Sequence, residues 1–164
     1  MPRRKRRTPE DGEFKDPLKD YSPPDYEDQL EQALIEGRVK DMKIKPFTAL
    51  PSETTIEQTL RRMTELNIAC VLIVENDRLC GIFSERDVLY RVADRFQQIK
   101  SRPVSEVMTP APSAVYRTDS PAKAVNLMAD QGFRHVPILN VDDKVVGILG
   151  PRRVTTFLRK YFEE

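Results

Sequence analysis

The sequence predicts an α/β (α+β) fold in which two tandem β-α-β-β-α repeats follow a disordered N-terminal tail. Two observations identify the repeats. The same succession of strand and helix patterns occurs twice after residue 39, and Gly81 and Met63 of the first copy match Gly147 and Met128 of the second. A copy of about 60 residues is small for an independently stable core. We therefore expect the two copies to pack against each other about a pseudo-two-fold axis.

The N-terminal region is expected to lack a stable fold. Residues 1–24 are rich in proline and in charged residues and contain few apolar anchors. The basic residues 3–7 could contact nucleic acid or an acidic partner, but a solvated tail is the more ordinary role of such a terminus. Residues 25–38 predict a short helix that ends at Gly37.

Composition limits the classes of function. The 164-residue chain has a formal net charge of +1, with 39% hydrophobic and 32% charged residues, which is typical of a soluble globular protein. This balance gives no reason to expect a nucleic-acid or membrane binder. No apolar run approaches the roughly 20 residues of a membrane-spanning helix, and no secretory signal is recognisable.

Cysteine usage favours a reducing compartment. Cys70 and Cys80 lie on two predicted strands joined by a turn, about 10 Å apart along the pair. That separation exceeds the roughly 7 Å between Cα atoms that a disulfide tolerates. Two reduced thiols are consistent with a cytoplasmic protein.

The first repeat is assigned to residues 39–98. Its helix begins after a run of Ser, Glu and Thr, presents apolar residues on one side and ends at Asn67. A polar turn separates its two central strands. In chain order, its elements are expected at residues 41–44, 56–66, 70–74 and 79–83, with a closing helix from residue 85.

The second repeat is assigned to residues 99–164. Ser120 is expected to cap its first helix, with Pro121 in the first turn and Gly132 at the end. Two strands are predicted at residues 136–139 and 145–149, and a final helix follows from residue 151.

Residues 81–87, Gly-Ile-Phe-Ser-Glu-Arg-Asp, join a strand to the closing helix of the first repeat. The start of a helix carries unpaired N–H groups and partial positive charge. Ser84 and Asp87 could therefore hold two neighbouring hydroxyl groups, as on a ribose. The same two residues also match a capping box, in which they only satisfy the helix end.

With this motif and the internal repeat, the chain resembles a pair of cystathionine-β-synthase (CBS) domains, also called a Bateman module. The resemblance covers residues 39–162 and rests on the phrases at residues 81–87, 104–110 and 132–138. It implies a regulatory sensor of AMP, ADP, ATP or a related adenosine compound. It implies neither an enzyme nor a catalytic cofactor, and it places the regulated effector in a separate protein.

The resemblance also implies a set of ligand contacts. Asp87 would bind the ribose hydroxyls with the help of Ser84, and basic residues before the strand, Arg134 and His135, would meet the phosphates. His135 could equally be a half-buried residue at a strand edge. The other implied ligand-binding residues are Ile82, Arg86, Thr109, Ser113, Ala114 and Phe133.

The second repeat departs from this pattern. Gly150 and Arg153 occupy the positions of the hydroxyl residue and the aspartate. An arginine cannot accept hydrogen bonds from a ribose. The first repeat also has Ala69 and Cys70 where the second has a basic pair. We therefore expect one nucleotide per chain, with AMP or adenosine favoured over a triphosphate.

Other functions were weighed against this one. A structural or dimerisation scaffold with a vestigial cleft is the alternative. An enzyme is not predicted, because the sequence has no nucleophile–base pair with His135, no metal-ligand spacing and no phosphate loop. A homodimer is expected because the closing helices have wide apolar faces. These faces comprise Val88, Leu89, Val92, Phe96, Val154, Phe157, Leu158 and Tyr161.

Overall fold

Two small β-sheets and their flanking helices form the computed structural model, which describes residues 22, 25–42, 44 and 46–162. The first sheet has the order β1 (Ala49–Leu50), β2 (Cys70–Glu75), β3 (Arg78–Ser84) and β4 (Thr109–Pro110). The second has the order β5 (Val115–Tyr116), β6 (Val136–Leu139) and β7 (Val145–Leu149). The helices are α1 (Gln29–Glu36), α2 (Ile56–Leu66), α3 (Glu85–Asp87), α4 (Phe96–Ile99), α5 (Pro121–Gln131) and α6 (Pro151–Leu158). The predicted tail, apart from Ser22, lies outside the described residues.

The internal repeat is visible in the pairing of the strands. In each sheet a short parallel strand, β1 or β5, lies beside an antiparallel hairpin, β2–β3 or β6–β7. Both hairpins have an irregular register at matching places, between Ile73 and Val74 and between Ile138 and Leu139. The predicted mixed α/β repeat is therefore confirmed. Cys70 pairs with Ser84 across the first hairpin, and both cysteines are free thiols.

The helix ends follow the local sequence signals. The Thr55 hydroxyl accepts a hydrogen bond from the Gln58 backbone at 3.2 Å, and the Gln58 side chain accepts one from the Thr55 backbone at 3.2 Å. This reciprocal box starts α2. Asn67 ends α2 with a left-handed φ of 49°. Ser120 caps α5, which ends at Gly132 with a φ of 65°.

The predicted first strand at residues 41–44 is wrong. Val39–Asp41 instead forms a 3₁₀ turn, and the first strand lies at β1. Asp41 closes the turn by accepting a hydrogen bond from the Arg38 backbone at 3.2 Å. The backbone N–H groups of Val39 and Lys40 donate to residues of the second repeat, so this segment does not pair with its own sheet.

The predicted continuous helix after Glu85 is also wrong. After α3 the chain forms a π turn at Val88–Val92 and a 3₁₀ turn at Ala93–Arg95 before α4 begins. The Arg95 side chain donates a hydrogen bond to the Arg91 carbonyl at 2.9 Å. A side chain that occupies a backbone carbonyl in this way interrupts the regular ladder of a helix.

Each hydrophobic core includes residues from the segment that leads into the sheet of the other repeat. Val104 and Val107, from the chain after α4, are buried among the residues of the first core. Val39 and Met42, from the chain before β1, are buried in the second core. The predicted limit between residues 98 and 99 therefore does not separate the residues of the two cores.

We predict that Met42→Ala destabilises the second core, although residue 42 lies at the start of the first repeat. Met42 is 2% exposed, so truncation leaves a cavity and should lower the free energy of unfolding by about 2–5 kcal/mol. Chemical denaturation measures this change. The control is Val141→Ala at an 82% exposed position, for which we expect a change within about 0.5 kcal/mol. Equal stabilities of the two variants would contradict the packing of residues 39–42 on this core.

Candidate functional site

The Ser84–Asp87 motif folds into a capping box at the junction of β3 and α3. Ser84 donates to Asp87 Oδ2 from its backbone at 2.9 Å and from its hydroxyl at 2.7 Å. The Asp87 backbone in turn donates to the Ser84 hydroxyl at 3.5 Å. The Asp87 side chain is buried, with 7% of the residue exposed. The capping role considered for this motif is therefore present in the structure.

The other carboxylate oxygen of Asp87 contacts the second repeat. Thr109, in β4, donates its hydroxyl to Asp87 Oδ1 at 3.0 Å. Arg91 forms an ion pair with the same oxygen at 3.4 Å and also donates to the carbonyls of Val107 and Met108 at 3.1 and 2.5 Å. The carboxylate thus links the start of the closing segment to the strand that begins the second repeat.

Arg91 was not among the residues predicted for this site. It lies four residues after Asp87, a spacing at which oppositely charged side chains meet on a helix. That spacing was the available signal. The ion pair forms here even though the chain at Val88–Val92 is a π turn rather than a regular α-helix.

Four of the predicted site residues are close together around this carboxylate. Ile82 in β3 faces Thr109 in β4 across the sheet. Arg86 extends from α3 to the second repeat, where its guanidinium donates to the Gly132 carbonyl at 3.4 Å, and it lies 5.8 Å from the centre of the Tyr90 ring. The residues that meet are Ile82, Ser84, Asp87 and Thr109.

The remaining predicted residues lie on the second repeat. Ser113 donates to the Gln131 side chain at 3.0 Å, and Ala114 beside it is half-buried. Phe133 is half-buried and Arg134 is exposed. Among the described residues, no hydrogen bond or ion pair joins any of these side chains to the Asp87 carboxylate.

A cleft of about 220 Å³ opens where β7 ends and α6 begins, and we call it the second cleft because it lies at the second repeat's counterpart of the Ser84–Asp87 motif. From the first repeat, its walls include Pro46, Phe47, Thr48, Ile68, Ala69 and Cys70. From the second repeat, they include His135, Ile148, Gly150, Arg152 and Arg153. The cleft therefore combines apolar walls with basic side chains.

His135 belongs to this second cleft. Val136 pairs with Leu149 across the hairpin, so His135 and Gly150 lie together just beyond the paired strands. A Cβ atom at Gly150 would come within 3.2 Å of the His135 ring. The sequence predicts His135 beside Arg134 at the Asp87 site. The order of residues along the chain does not show towards which site the residue before β6 lies.

Burial sets the protonation of two groups in this region. Burial lowers the pKa of His135 below its usual value, Glu85 opposes this shift, and Arg134 adds to it. Burial also raises the pKa of the Cys70 thiol to about 12, with a further contribution from Glu85. The imidazole is therefore neutral near pH 7, and Cys70 is a protonated thiol without nucleophilic character.

The part of the chain that the structure describes shows neither a metal-binding cluster nor a membrane-spanning helix. No group of three or more His, Cys, Asp or Glu residues is placed there to hold a metal ion. None of the described helices is both long and apolar enough to cross a membrane.

Comparison with protein families identifies the two repeats. The family described as "CBS domain" matches residues 39–94 and again residues 104–160. The chain belongs to the CBS domain family. The first match contains β1, β2 and β3, and the second contains the whole second sheet together with β4, which pairs with the first sheet.

Similar proteins include a longer chain and two solved structures that this chain covers almost completely. The CBS domain-containing protein CBSCBSPB1 of Arabidopsis thaliana is 30% identical over 70% of this chain, which spans only 21% of that relative. Two crystal structures share the fold with a TM-score of 0.66: CBSX2 in complex with AMP and PAE2072 from Pyrobaculum aerophilum complexed with AMP. They are 22% and 23% identical, each aligned over 75% of this chain and over 96% and 98% of their own lengths. CBSX2 comes from Arabidopsis thaliana.

We predict that acidification destabilises the protein partly through His135. Its folded pKa lies below the ordinary value of 6.5, so the unfolded chain takes up the proton first. This contribution to stability is complete above about pH 6.5 and is lost as the pH falls from there towards the folded pKa. The measurement is the free energy of unfolding at about pH 7.5 and about pH 5.5. The loss should be smaller in His135→Gln, and an equal loss in both proteins would refute the prediction.

Proposed function

We propose that this chain is a regulatory module that binds an adenosine nucleotide beside Asp87 and transmits its occupancy to an effector protein. The observation that carries the proposal is the buried Asp87 carboxylate, which accepts hydrogen bonds from hydroxyl groups of both repeats. Relatives of the same fold, CBSX2 and PAE2072, were crystallised with AMP. The proposed module has no catalytic role and acts in the cytoplasm.

The contacts of Asp87 suit the two neighbouring hydroxyls of a ribose. The carboxylate already accepts hydrogen bonds from the hydroxyls of Ser84 at 2.7 Å and of Thr109 at 3.0 Å. A ribose presents the same kind of donor twice on adjacent carbons. A side-chain hydroxyl that is displaced from the carboxylate can rotate and accept a hydrogen bond from the ligand instead.

This exchange of partners suggests how binding could be transmitted. Thr109 lies in β4, which begins the second repeat, whereas Asp87 lies in the first. A ribose that takes the place of the Thr109 hydroxyl would weaken a bond between the two repeats. A ligand shifts a conformational equilibrium only through such differences in contacts between two states.

The rest of the proposed site favours a short phosphate chain. Adenine would lie against Ser113, Ala114 and Phe133, and Arg134 would meet the phosphate. His135 lies in the second cleft, so Arg134 is the one residue of the predicted basic pair that is available to a phosphate at the Asp87 site. We therefore propose AMP or adenosine, rather than ADP or ATP, as the preferred ligand.

A structural scaffold with a vestigial cleft is the competing function. The capping box favours it, because Ser84 and Asp87 have a complete structural role without any ligand. The two functions differ in whether the native protein binds AMP at all, so direct titration separates them.

We expect calorimetric titration with AMP to give one site per chain. Asp87→Asn keeps the shape of the side chain but removes its charge. Hydrogen bonds to a charged group contribute about 1.5–3 kcal/mol, so the substitution should weaken binding by about tenfold or more. Asp94→Asn is the matched control, because it removes the same charge from an exposed position of the same segment.

Each outcome of this titration decides between the two functions. Weakened binding in Asp87→Asn with unchanged binding in Asp94→Asn supports the sensor. No binding of AMP to the native chain would favour the scaffold. Equal affinities of the native chain and Asp87→Asn, or two equivalent sites in the native chain, would exclude Asp87 as the ribose contact.

We also propose that the chain forms a homodimer through the closing segment of the first repeat. Much of the apolar face predicted for this role is buried within the chain, since Val92 is 1%, Val154 7% and Phe157 5% exposed. Leu89 and Tyr90 remain 72% and 77% exposed and lie side by side. Large apolar side chains that are exposed at consecutive positions are consistent with an interface.

We predict that Leu89→Ser weakens this dimer. The native chain should sediment as a dimer at tens of micromolar, on the order of ordinary dimer affinities, and the variant should shift towards the monomer. Val141→Ser serves as the control, because Val141 is 82% exposed and lies on the second repeat's turn. A native monomer at this concentration, or a variant that dimerises like the native chain, would contradict the proposal.

A further inference from the structure

The second cleft carries basic side chains where the first repeat carries the Asp87 carboxylate. Arg153 stands where the first repeat has its aspartate, and Gly150 stands where it has Ser84. Arg152, Arg153 and His135 all line the cleft. Among the described residues, neither guanidinium takes part in a hydrogen bond or an ion pair. Two unpaired cations therefore share one concave surface.

The start of α6 lacks the internal anion that satisfies α3. In the first repeat, the Asp87 carboxylate accepts a hydrogen bond from the Ser84 backbone at 2.9 Å. In the second, Gly150 is the capping residue and provides no side-chain hydrogen bond. An anion bound in the cleft would take the electrostatic place that a carboxylate occupies in the first repeat.

The remaining walls of the cleft are apolar. Phe47, Ile68 and Cys70 come from the first repeat, and Ile148 comes from the second. Gly150 keeps the space open, because a Cβ atom there would come within 3.2 Å of the His135 ring. A bound molecule would thus place an apolar body against these walls and its charge beside the arginines.

We propose that this cleft binds a small phosphorylated compound with an apolar body and selects it by its phosphate rather than by a ribose. A phosphate carries up to two negative charges and three acceptor oxygens, so it can meet both guanidiniums at once. The described residues that line the cleft include no carboxylate, and Arg153 stands at the position of the ribose-binding aspartate, while Glu85 acts electrostatically on His135 and Cys70 from beside the cleft. The two clefts of one chain would then bind different classes of ligand.

The test is calorimetric titration of the full chain with phenyl phosphate, which combines an apolar ring with a phosphate. The variant is Arg152→Gln with Arg153→Gln. Its matched control is Arg61→Gln with Arg117→Gln, two exposed arginines outside the cleft. We expect the cleft variant to weaken binding by about tenfold or more and the control to bind like the native chain. Thermal unfolding verifies that each variant is folded, and the single variant Arg153→Gln replaces the double variant if that protein does not fold.

The remaining measurements separate this proposal from the proposed function. Phenol should not bind detectably, and equal binding of phenol and phenyl phosphate would reduce the cleft to an apolar surface and overturn the proposal. Unchanged binding of phenyl phosphate to the cleft variant would overturn it as well, as would loss of that binding in Asp87→Asn. AMP binding should weaken by about tenfold or more in Asp87→Asn and be kept in the cleft variant. A chain that binds phenyl phosphate through its arginines but does not bind AMP would refute the proposed function alone.

Discussion

The fold depends on an exchange of short segments between the two repeats. Val104 and Val107 fill the first core, and Val39 and Met42 fill the second. Burial of apolar side chains is the main favourable term in folding, and each sheet here is too small to provide enough of it alone. Neither repeat therefore completes its core without the other. The same exchange brings β4 beside β3 and places Thr109 against Asp87.

A ligand that binds the Asp87 carboxylate must compete with the protein groups that already bind it. Its carboxylate caps α3, pairs with Arg91 and accepts the Thr109 hydroxyl. A buried carboxylate is stable only when its oxygens are satisfied, and in this chain protein groups satisfy them. Binding of a ribose would replace hydrogen bonds rather than add them, so the net gain is smaller than the number of contacts suggests. The replaced bond to Thr109 is also one that holds the repeats together.

The Asp87 site and the second cleft share a fold and differ in the groups they offer a ligand. Both lie where a hairpin ends and a helix begins, and residues from both repeats line the cleft. At the first, a carboxylate and a hydroxyl favour hydrogen-bond donors such as a diol. At the second, Arg152 and Arg153 favour an acceptor. The internal repeat thus keeps the junction of hairpin and helix, while two side chains reverse the chemistry that this junction offers.

Features that depend on neighbouring residues can be predicted from the sequence. The repeat, the two hairpins and the caps at Thr55, Ser120 and Gly132 were predictable, because a cap or a turn is fixed by groups a few positions apart. So was the meeting of Ser84 with Asp87. The tertiary structure decided the rest. It placed the segment at residues 39–42 on the second core and His135 in the second cleft. It also interrupted the closing helix after Asp87. These outcomes depend on contacts between residues far apart in the chain, which local propensity and periodicity do not encode.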